Sequence, residues 1–138
     1  MTNWIVDTSV WSRIAHDRMV AEYVDALVAD PSSVLVACPP QVIEYCFMAR
    51  SADEYAQSVD EMRAFAPVRF HPMVDDVADI QRSLFTAGMG RSAGPIDILT
   101  AAYARLNDAI VLTADRDYDC IAQTVSDFAH VFVQPSAR

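Results

Sequence analysis

The sequence contains little glycine, few cysteines and no lysine at all. Three glycines among 138 residues, with charged residues at 21%, argue against a fibrous or disordered chain. The cysteines Cys38, Cys46 and Cys120 are odd in number and form no C-x-x-C pair. This cysteine pattern disfavours a disulfide framework and a cysteine zinc site. Because disulfides are not expected, we predict an intracellular, cytoplasmic protein. No apolar run reaches the roughly eighteen residues of a membrane span, and the first residues resemble neither a signal peptide nor an anchor.

Negative charge exceeds positive charge throughout the chain. The nineteen acidic and ten basic residues give a net charge of -9. This balance argues against a protein that coats nucleic acid through a broad basic surface. Hydrophobic residues make up 53% of the chain, and a domain of this length buries roughly two thirds of the surface of its unfolded chain. We therefore expect a single domain over residues 1–138 that needs no metal to fold, so that a bound metal would serve chemistry.

Short, uniformly apolar strands alternate with amphipathic helices along the chain. Such strands are typical of a parallel sheet covered on both faces, because a half-exposed sheet would alternate apolar and polar residues. We therefore predict a three-layer α/β/α domain with a mostly parallel central sheet. The predicted strands are Trp4–Val6, Val34–Ala37, Val68–Phe70, Ile110–Leu112 and Val131–Val133. The predicted helices are Thr8–Ala15, Met19–Val28, one that begins at Pro39, Asp53–Phe65, Met73–Ala87, Pro95–Leu106 and Tyr118–Val125.

Four carboxylates are predicted near the carboxyl ends of the strands. Asp7 directly follows the first strand and Asp115 closely follows the fourth, while Glu44 and Asp97 lie in the first turns of the third and sixth helices. Ligands bind α/β sheets at the carboxyl ends of parallel strands, so these side chains are expected at one edge. Their repulsion would raise at least one pKa. A divalent cation that prefers hard oxygen ligands, Mg²⁺ or Mn²⁺, would relieve the repulsion between the acids.

Each of these acids also has a purely structural explanation. Asp7 could be an N-cap, Asp97 could favour a helix N-terminus, Asp115 could cap the last helix, and Glu44 could be a solvated helix residue. The coincidence of four acids at one edge, with further acids at positions 117 and 119, favours a functional site.

The acids lie in segments whose order is distinctive, namely Ile5–Trp11 (IVDTSVW), Gly94–Ala102 (GPIDILTAA) and Val111–Tyr118 (VLTADRDY). With Glu44 between the first two, these segments resemble the PIN domain, in particular the VapC toxins of bacterial toxin–antitoxin pairs. The four acids follow one another at intervals of 37, 53 and 18 residues, and the resemblance covers nearly the whole chain. The positions that match the family are the acidic quartet Asp7, Glu44, Asp97 and Asp115, the hydroxyl residues Thr8, Ser9 and Thr113, and an additional acid, Asp117. Tyr118 stands where phenylalanine is more usual, and we expect this difference to have no effect.

The resemblance implies a metal-dependent endoribonuclease that uses Mg²⁺ or Mn²⁺. Such a toxin would cut tRNA, rRNA or mRNA and so inhibit translation and growth. It would form a homodimer, and a basic VapB-type antitoxin would neutralise it. Two alternatives stay open, an RNA-processing nuclease without an antitoxin and a non-catalytic binding module on the same scaffold. The complete acidic quartet favours an enzyme, because a binding module has no physical reason to keep four mutually repelling carboxylates.

Other polar and apolar residues give weaker signals. The three histidines, at positions 16, 71 and 130, share no ligand spacing, so a catalytic histidine is not expected. The arginines expected near the acidic edge, as RNA contacts or as ion-pair residues, are Arg13, Arg91 and Arg116. An apolar face could either dock an antitoxin helix or belong to the core. Its members are Trp11, Val20, Tyr23, Val24 and Leu27.

Overall fold

A computed structural model describes residues 1–136 of the chain, which form five strands and seven α-helices. The strands are β1 (Thr2–Val6), β2 (Ser33–Ala37), β3 (Ala66–Pro67), β4 (Ala109–Thr113) and β5 (His130–Phe132). The helices are α1 (Thr8–Trp11), α2 (Arg18–Ala29), α3 (Pro39–Phe47), α4 (Ala52–Arg63), α5 (Val74–Thr86), α6 (Pro95–Leu106) and α7 (Asp119–Thr124), the last preceded by a 3-10 turn over Arg116–Tyr118.

All five strands are parallel, in the order β3-β2-β1-β4-β5. The central strand β1 pairs with β2 on one side and with β4 on the other, so the chain reverses its direction of winding between β1 and β4. The predicted three-layer α/β/α architecture is confirmed, and the sheet is entirely parallel.

The two faces of the sheet carry separate hydrophobic cores, because successive residues of a strand point to opposite faces. Ile5 and Val111 pack into a core with residues of α5, α6 and α7. Their neighbours Val6 and Leu112 pack into the other core with α1 and α2. Three members of the predicted docking face, Val20, Val24 and Leu27, are buried in this second core. For these three residues the core interpretation is therefore the correct one.

Helix α1 is shorter than predicted, since it ends at Trp11 and the chain continues in turns over residues 12–16. The carbonyl oxygen of Ser9 accepts hydrogen bonds from the Ser12 hydroxyl (3.2 Å) and from the Arg13 guanidinium (2.7 Å). These side chains compete for an acceptor that the next helical N–H would otherwise use, and such competition weakens a helix. The backbone N–H of Arg13 bonds instead to the carbonyl of Val10.

The third strand lies at Ala66–Pro67 and not at the predicted Val68–Phe70. The backbone N–H groups of Arg69 and Phe70 donate to the Asn107 side-chain oxygen at 2.9 and 3.0 Å. The Asn107 amide group donates in turn to the carbonyl of Phe70 (2.9 Å). This contact with the end of α6 replaces ladder pairing at residues 69 and 70.

Within the described residues, no helix has the length and apolar character needed to cross a membrane.

Asp17 caps α2 and ties it to the C-terminal segment. Its carboxylate accepts hydrogen bonds from the N–H groups of Met19 (3.1 Å) and Val20 (3.2 Å). It also accepts from the N–H (2.8 Å) and the hydroxyl (2.7 Å) of Ser136. These bonds, that of the Ser136 hydroxyl foremost, lower the pKa of Asp17 below its ordinary value. A local sequence pattern does not predict the contact with Ser136, because the two residues lie far apart in the chain.

The substitution Asp17→Ala is expected to lower the melting temperature near neutral pH by about 4 °C, the usual scale for a lost N-cap. The pKa is lower in the folded than in the unfolded state, so this stabilisation is present above the ordinary aspartate pKa and is lost as the pH falls through the folded value. The difference in melting temperature between wild type and Asp17→Ala should therefore be large at about pH 7 and small at about pH 2.5. Asp25→Ala, at an exposed position of α2, should melt close to wild type. An equal difference in melting temperature between wild type and Asp17→Ala at both pH values would contradict this account.

Candidate active site

The point where the chain reverses its winding, between β1 and β4, carries two of the predicted acids. Asp7 follows β1 directly, and its N–H donates to the carbonyl of Leu112 in β4 at 2.8 Å. Asp115 lies just beyond the end of β4 at Thr113. The carboxyl ends of parallel strands at such a reversal form a crevice in which α/β proteins bind ligands. The two acids therefore lie at the edge of the sheet where a ligand is expected.

Both oxygens of the Asp7 carboxylate are held by hydrogen bonds. Oδ2 accepts from the N–H of Ser9 at 3.2 Å, which makes Asp7 the N-cap of α1, and from the Thr113 hydroxyl at 3.5 Å. Oδ1 accepts from the Tyr118 hydroxyl at 3.2 Å. The N-cap interpretation of Asp7 is thus correct, and it is compatible with a place in the acidic cluster.

Two buried hydroxyl groups connect β4 to α1 beneath the acids. The hydroxyls of Ser9 and Thr113 lie 3.2 Å apart. The Ser9 hydroxyl accepts from the N–H of Ala114 (3.0 Å), and the Thr113 hydroxyl accepts from the N–H of Asp115 (3.1 Å). These bonds fix the backbone that carries Asp7 and Asp115, which gives the predicted hydroxyl positions a physical role.

Glu44 reaches the same edge because α3 is anchored to the end of β1. The buried Gln41 side chain donates to the carbonyl of Val6 at 2.6 Å, immediately before Asp7. The pKa of Glu44 is raised, first by burial and then by the negative charge of Asp7. Asp115 and Asp117 raise it further.

Asp97 lies in the first turn of α6, which begins at Pro95. The pKa of Asp97 is raised to about 7, first by burial and then by the charges of nearby acids. These acids are Asp7, Asp117 and Glu44. The pKa of Asp117 is also raised, by desolvation and then by Asp115 and Asp7. The structure therefore brings the predicted quartet and Asp117 into one electrostatic environment.

The three arginines predicted near this edge differ in their contacts. Arg13 faces the cluster and pairs with Asp115, with its Nη2 3.4 Å from Oδ1. The Arg116 guanidinium lies 3.6 Å from the centre of the Phe132 ring and 3.6 Å from Asp119. Arg91 is exposed in the loop before α6. Two histidines are bonded locally and outside the cluster, His71 to Tyr103 and His130 to Asp119.

Thr8 provides a further oxygen beside the acids. Thr8 is 7% exposed, and within the described residues its buried hydroxyl oxygen has no hydrogen-bond partner of ordinary geometry, although the hydroxyl lies beside Glu44. Across residues 1–136, no three Asp, Glu, His or Cys side chains are gathered closely enough to hold a metal ion as they stand. The acids thus form an open, oxygen-rich cluster. Such a set of donors suits a hard cation that keeps several waters, as Mg²⁺ does when one or two carboxylates bind it.

The contribution of Tyr118 could not be predicted from the sequence. From the sequence, a tyrosine in place of the more usual phenylalanine is expected to have no effect. In the structure the hydroxyl of this buried side chain contacts Asp7.

Comparison with known proteins finds relatives of this chain. Residues 4–123 match the PIN domain. The chain is 32% identical over 121 residues to Ribonuclease VapC18 of Mycobacterium tuberculosis, with 85% of each chain covered. It is 33% identical over 124 residues to Ribonuclease VapC17 of the same species, with 88% of this chain and 89% of the relative covered.

Solved structures share the fold at low sequence identity. VapBC2 from Rickettsia felis, bound to a DNA fragment from its promoter, aligns with a TM-score of 0.68 at 10% identity and covers 96% of this chain and 100% of that one. VapBC-5 from Mycobacterium tuberculosis aligns with a TM-score of 0.59 at 22% identity, with the same coverage of 96% and 100%.

Proposed function

Because the chain belongs to the PIN-domain family, we propose that it is an endoribonuclease dependent on Mg²⁺ or Mn²⁺, and the toxin of a toxin–antitoxin pair. The observation that carries this proposal is the gathering of acids from separate segments at one edge of the sheet, with the pKa of Asp97 raised to about 7. The 32% and 33% identity to proteins named ribonucleases supports it. Mutual repulsion of this kind lowers the stability of the metal-free fold, so its presence points to a function.

The residues that would hold the cation are Asp7 and Asp97, with Glu44, Asp115 and the Thr8 hydroxyl beside them. When bound, a divalent cation neutralises charge on a phosphodiester, lowers the pKa of a bound water and stabilises the departing oxygen. Asp7 is suited to ligation because hydrogen bonds orient both of its oxygens.

Glu44 is the residue that we assign to orient the attacking water and accept its proton. Burial and the charge of Asp7 raise the pKa of Glu44, which makes its carboxylate a stronger base than that of an exposed glutamate. Asp115 is less suited to that task, since Arg13 pairs with it. Attack of water on the phosphorus, with loss of the 3′ oxygen, would leave a 5′-phosphate and a 3′-hydroxyl.

The overall affinity for RNA should be weak, and it should come from a few residues near the site. A net charge of -9 repels a polyanion, so selectivity would depend on the few arginines near the site. Among the predicted RNA contacts Arg13, Arg91 and Arg116, Arg91 is the best candidate for a phosphate contact. Arg13 is already bonded to Asp115 and to Ser9, and Arg116 lies against Phe132 and Asp119.

The proposed partner is a basic VapB-type antitoxin. Ile43 and Phe47 on α3 and Met48, which directly follows this helix, are exposed apolar residues, and Phe47 is 87% exposed. Beside it runs a groove lined in part by Trp11, Met48 and the carboxylates Glu54 and Glu61. A basic amphipathic segment would find apolar and acidic contacts there, and the negative net charge would speed its association.

The proposed toxin would be a homodimer that acts in the cytoplasm. The homodimer, implied by the family, stays a prediction, and analytical ultracentrifugation would test it by measuring the mass of the protein in solution. Action in the cytoplasm, also proposed, agrees with the free cysteines Cys38, Cys46 and Cys120.

Mapping of RNA 5′ ends in growing cells tests the function and identifies the substrate. Wild type, Asp7→Ala and the surface control Asp25→Ala are expressed without an antitoxin. Growth arrest with a discrete new 5′ end is expected for wild type and for Asp25→Ala, and neither is expected for Asp7→Ala. Identical RNA ends in all three cultures would sink the nuclease proposal. Cleavage without arrest would favour an RNA-processing nuclease over a toxin.

A further inference from the structure

The Tyr118 hydroxyl lies beneath the acidic cluster, in the core on the α6 side of the sheet. The residue is 1% exposed, and its ring stacks on Phe128 with the centroids 6.0 Å apart. Packing therefore fixes the ring, and the hydroxyl position follows from it. That hydroxyl donates to Asp7 Oδ1 at 3.2 Å.

We propose that Tyr118 is a positioning residue, which orients the carboxylate of Asp7 for cation binding. This inference rests on the metal-dependent function proposed above. Asp7 Oδ2 is already held by Ser9 and Thr113, so the Tyr118 bond to Oδ1 removes the remaining rotational freedom of the carboxylate. A ligand held in this way loses less conformational entropy when it binds a cation.

A neutral donor is well suited to this place. A tyrosine hydroxyl is protonated near neutral pH, so it can donate to Asp7. It therefore bonds to the Asp7 carboxylate without adding another negative charge to the cluster. Phenylalanine would fill the same volume but would leave Asp7 Oδ1 without this donor.

The test is Mn²⁺ binding to metal-free protein, measured by electron paramagnetic resonance or calorimetry for wild type and Tyr118→Phe. We expect the variant to bind Mn²⁺ about 10- to 100-fold more weakly, the usual effect of removing a group that orients a metal ligand. RNA cleavage should fall at low Mn²⁺ and recover towards the wild-type rate at saturating Mn²⁺, with KM for RNA unchanged.

Tyr103→Phe is the matched control, because it removes the hydroxyl of another buried tyrosine. That hydroxyl lies 2.9 Å from His71 Nδ1, in a contact outside the acidic cluster. Its removal should leave the Mn²⁺ affinity unchanged. Circular dichroism at the assay temperature checks that both variants are folded, as expected for changes that keep the packed ring.

The outcomes separate this inference from the function on which it rests. Equal Mn²⁺ affinity in wild type and Tyr118→Phe would overturn the positioning role, even if the variant melted earlier. Equal weakening by Tyr103→Phe would also overturn it. Wild-type protein that bound no Mn²⁺ would overturn both the metal site and the inference. Metal binding that depends on Tyr118, without any RNA cleavage, would support the inference and contradict the nuclease.

Discussion

Asp97→Asn is expected to lower RNA cleavage by about a hundredfold or more, because a metal ion supplies several kcal/mol of stabilisation to the transition state. The amide keeps the size of the carboxylate but loses its charge, so the loss would be chemical and not steric. Single-turnover cleavage of the mapped RNA, at saturating protein, measures the effect.

The same substitution is expected to raise the melting temperature of the metal-free protein. The pKa of Asp97 is about 7 in the fold, above that of an unfolded aspartate. Its ionisation therefore destabilises the folded state, a cost that is absent at low pH and complete above about pH 7. The variant should melt close to wild type at about pH 4 and above it at about pH 8.

Asp53→Asn is the matched control, since Asp53 is an exposed acid in the first turn of α4. It should cleave like wild type and melt slightly earlier, because an acid near a helix N-terminus is stabilising. An Asp97→Asn protein that cleaved at the wild-type rate would refute the assigned site. One that was inactive but melted earlier at every pH would point to misfolding.

Thr113→Val is expected to reduce cleavage by about 10- to 100-fold and stability by about 1–3 kcal/mol. The hydroxyl is fully buried and contacts the Ser9 hydroxyl at 3.2 Å, Asp7 Oδ2 at 3.5 Å and the N–H of Asp115 at 3.1 Å. Valine keeps the shape of the side chain but leaves these polar groups without a partner. Denaturant unfolding and the cleavage assay measure the two effects.

Thr113→Ser keeps the hydroxyl and loses one methyl group. It should retain most of the activity, with a smaller loss of stability from the cavity that it creates. If valine were tolerated as well as serine, the hydroxyl network would have no part in holding the acids.

Local sequence patterns predicted the features that depend on neighbouring residues. Uniformly apolar runs indicated the buried strands, and Pro39 and Pro95 marked where α3 and α6 begin. The meeting of Asp7 and Asp115 also followed from the sequence, because parallel strands bring their carboxyl ends to one edge.

Features that depend on distant contacts could not be predicted in this way. Strand β3 shifts because Asn107 binds the backbone of residues 69 and 70 from the end of α6. The contact of Tyr118 with Asp7 also joins residues far apart in the chain. Core and docking faces have the same helical periodicity, so only the packing of Val20 and Val24 against the sheet distinguished them.

The end groups of the RNA products, with and without a chelator, test the central claim most directly. Purified protein is incubated with the mapped RNA in Mg²⁺ or Mn²⁺, in excess EDTA, and in EDTA with the metal restored; Asp97→Asn protein from the same purification serves as the control. The account predicts that cleavage requires metal and leaves 5′-phosphate and 3′-hydroxyl ends. The variant should cleave at least about a hundredfold more slowly. Cleavage that persists in EDTA and leaves 2′,3′-cyclic phosphate ends would contradict it.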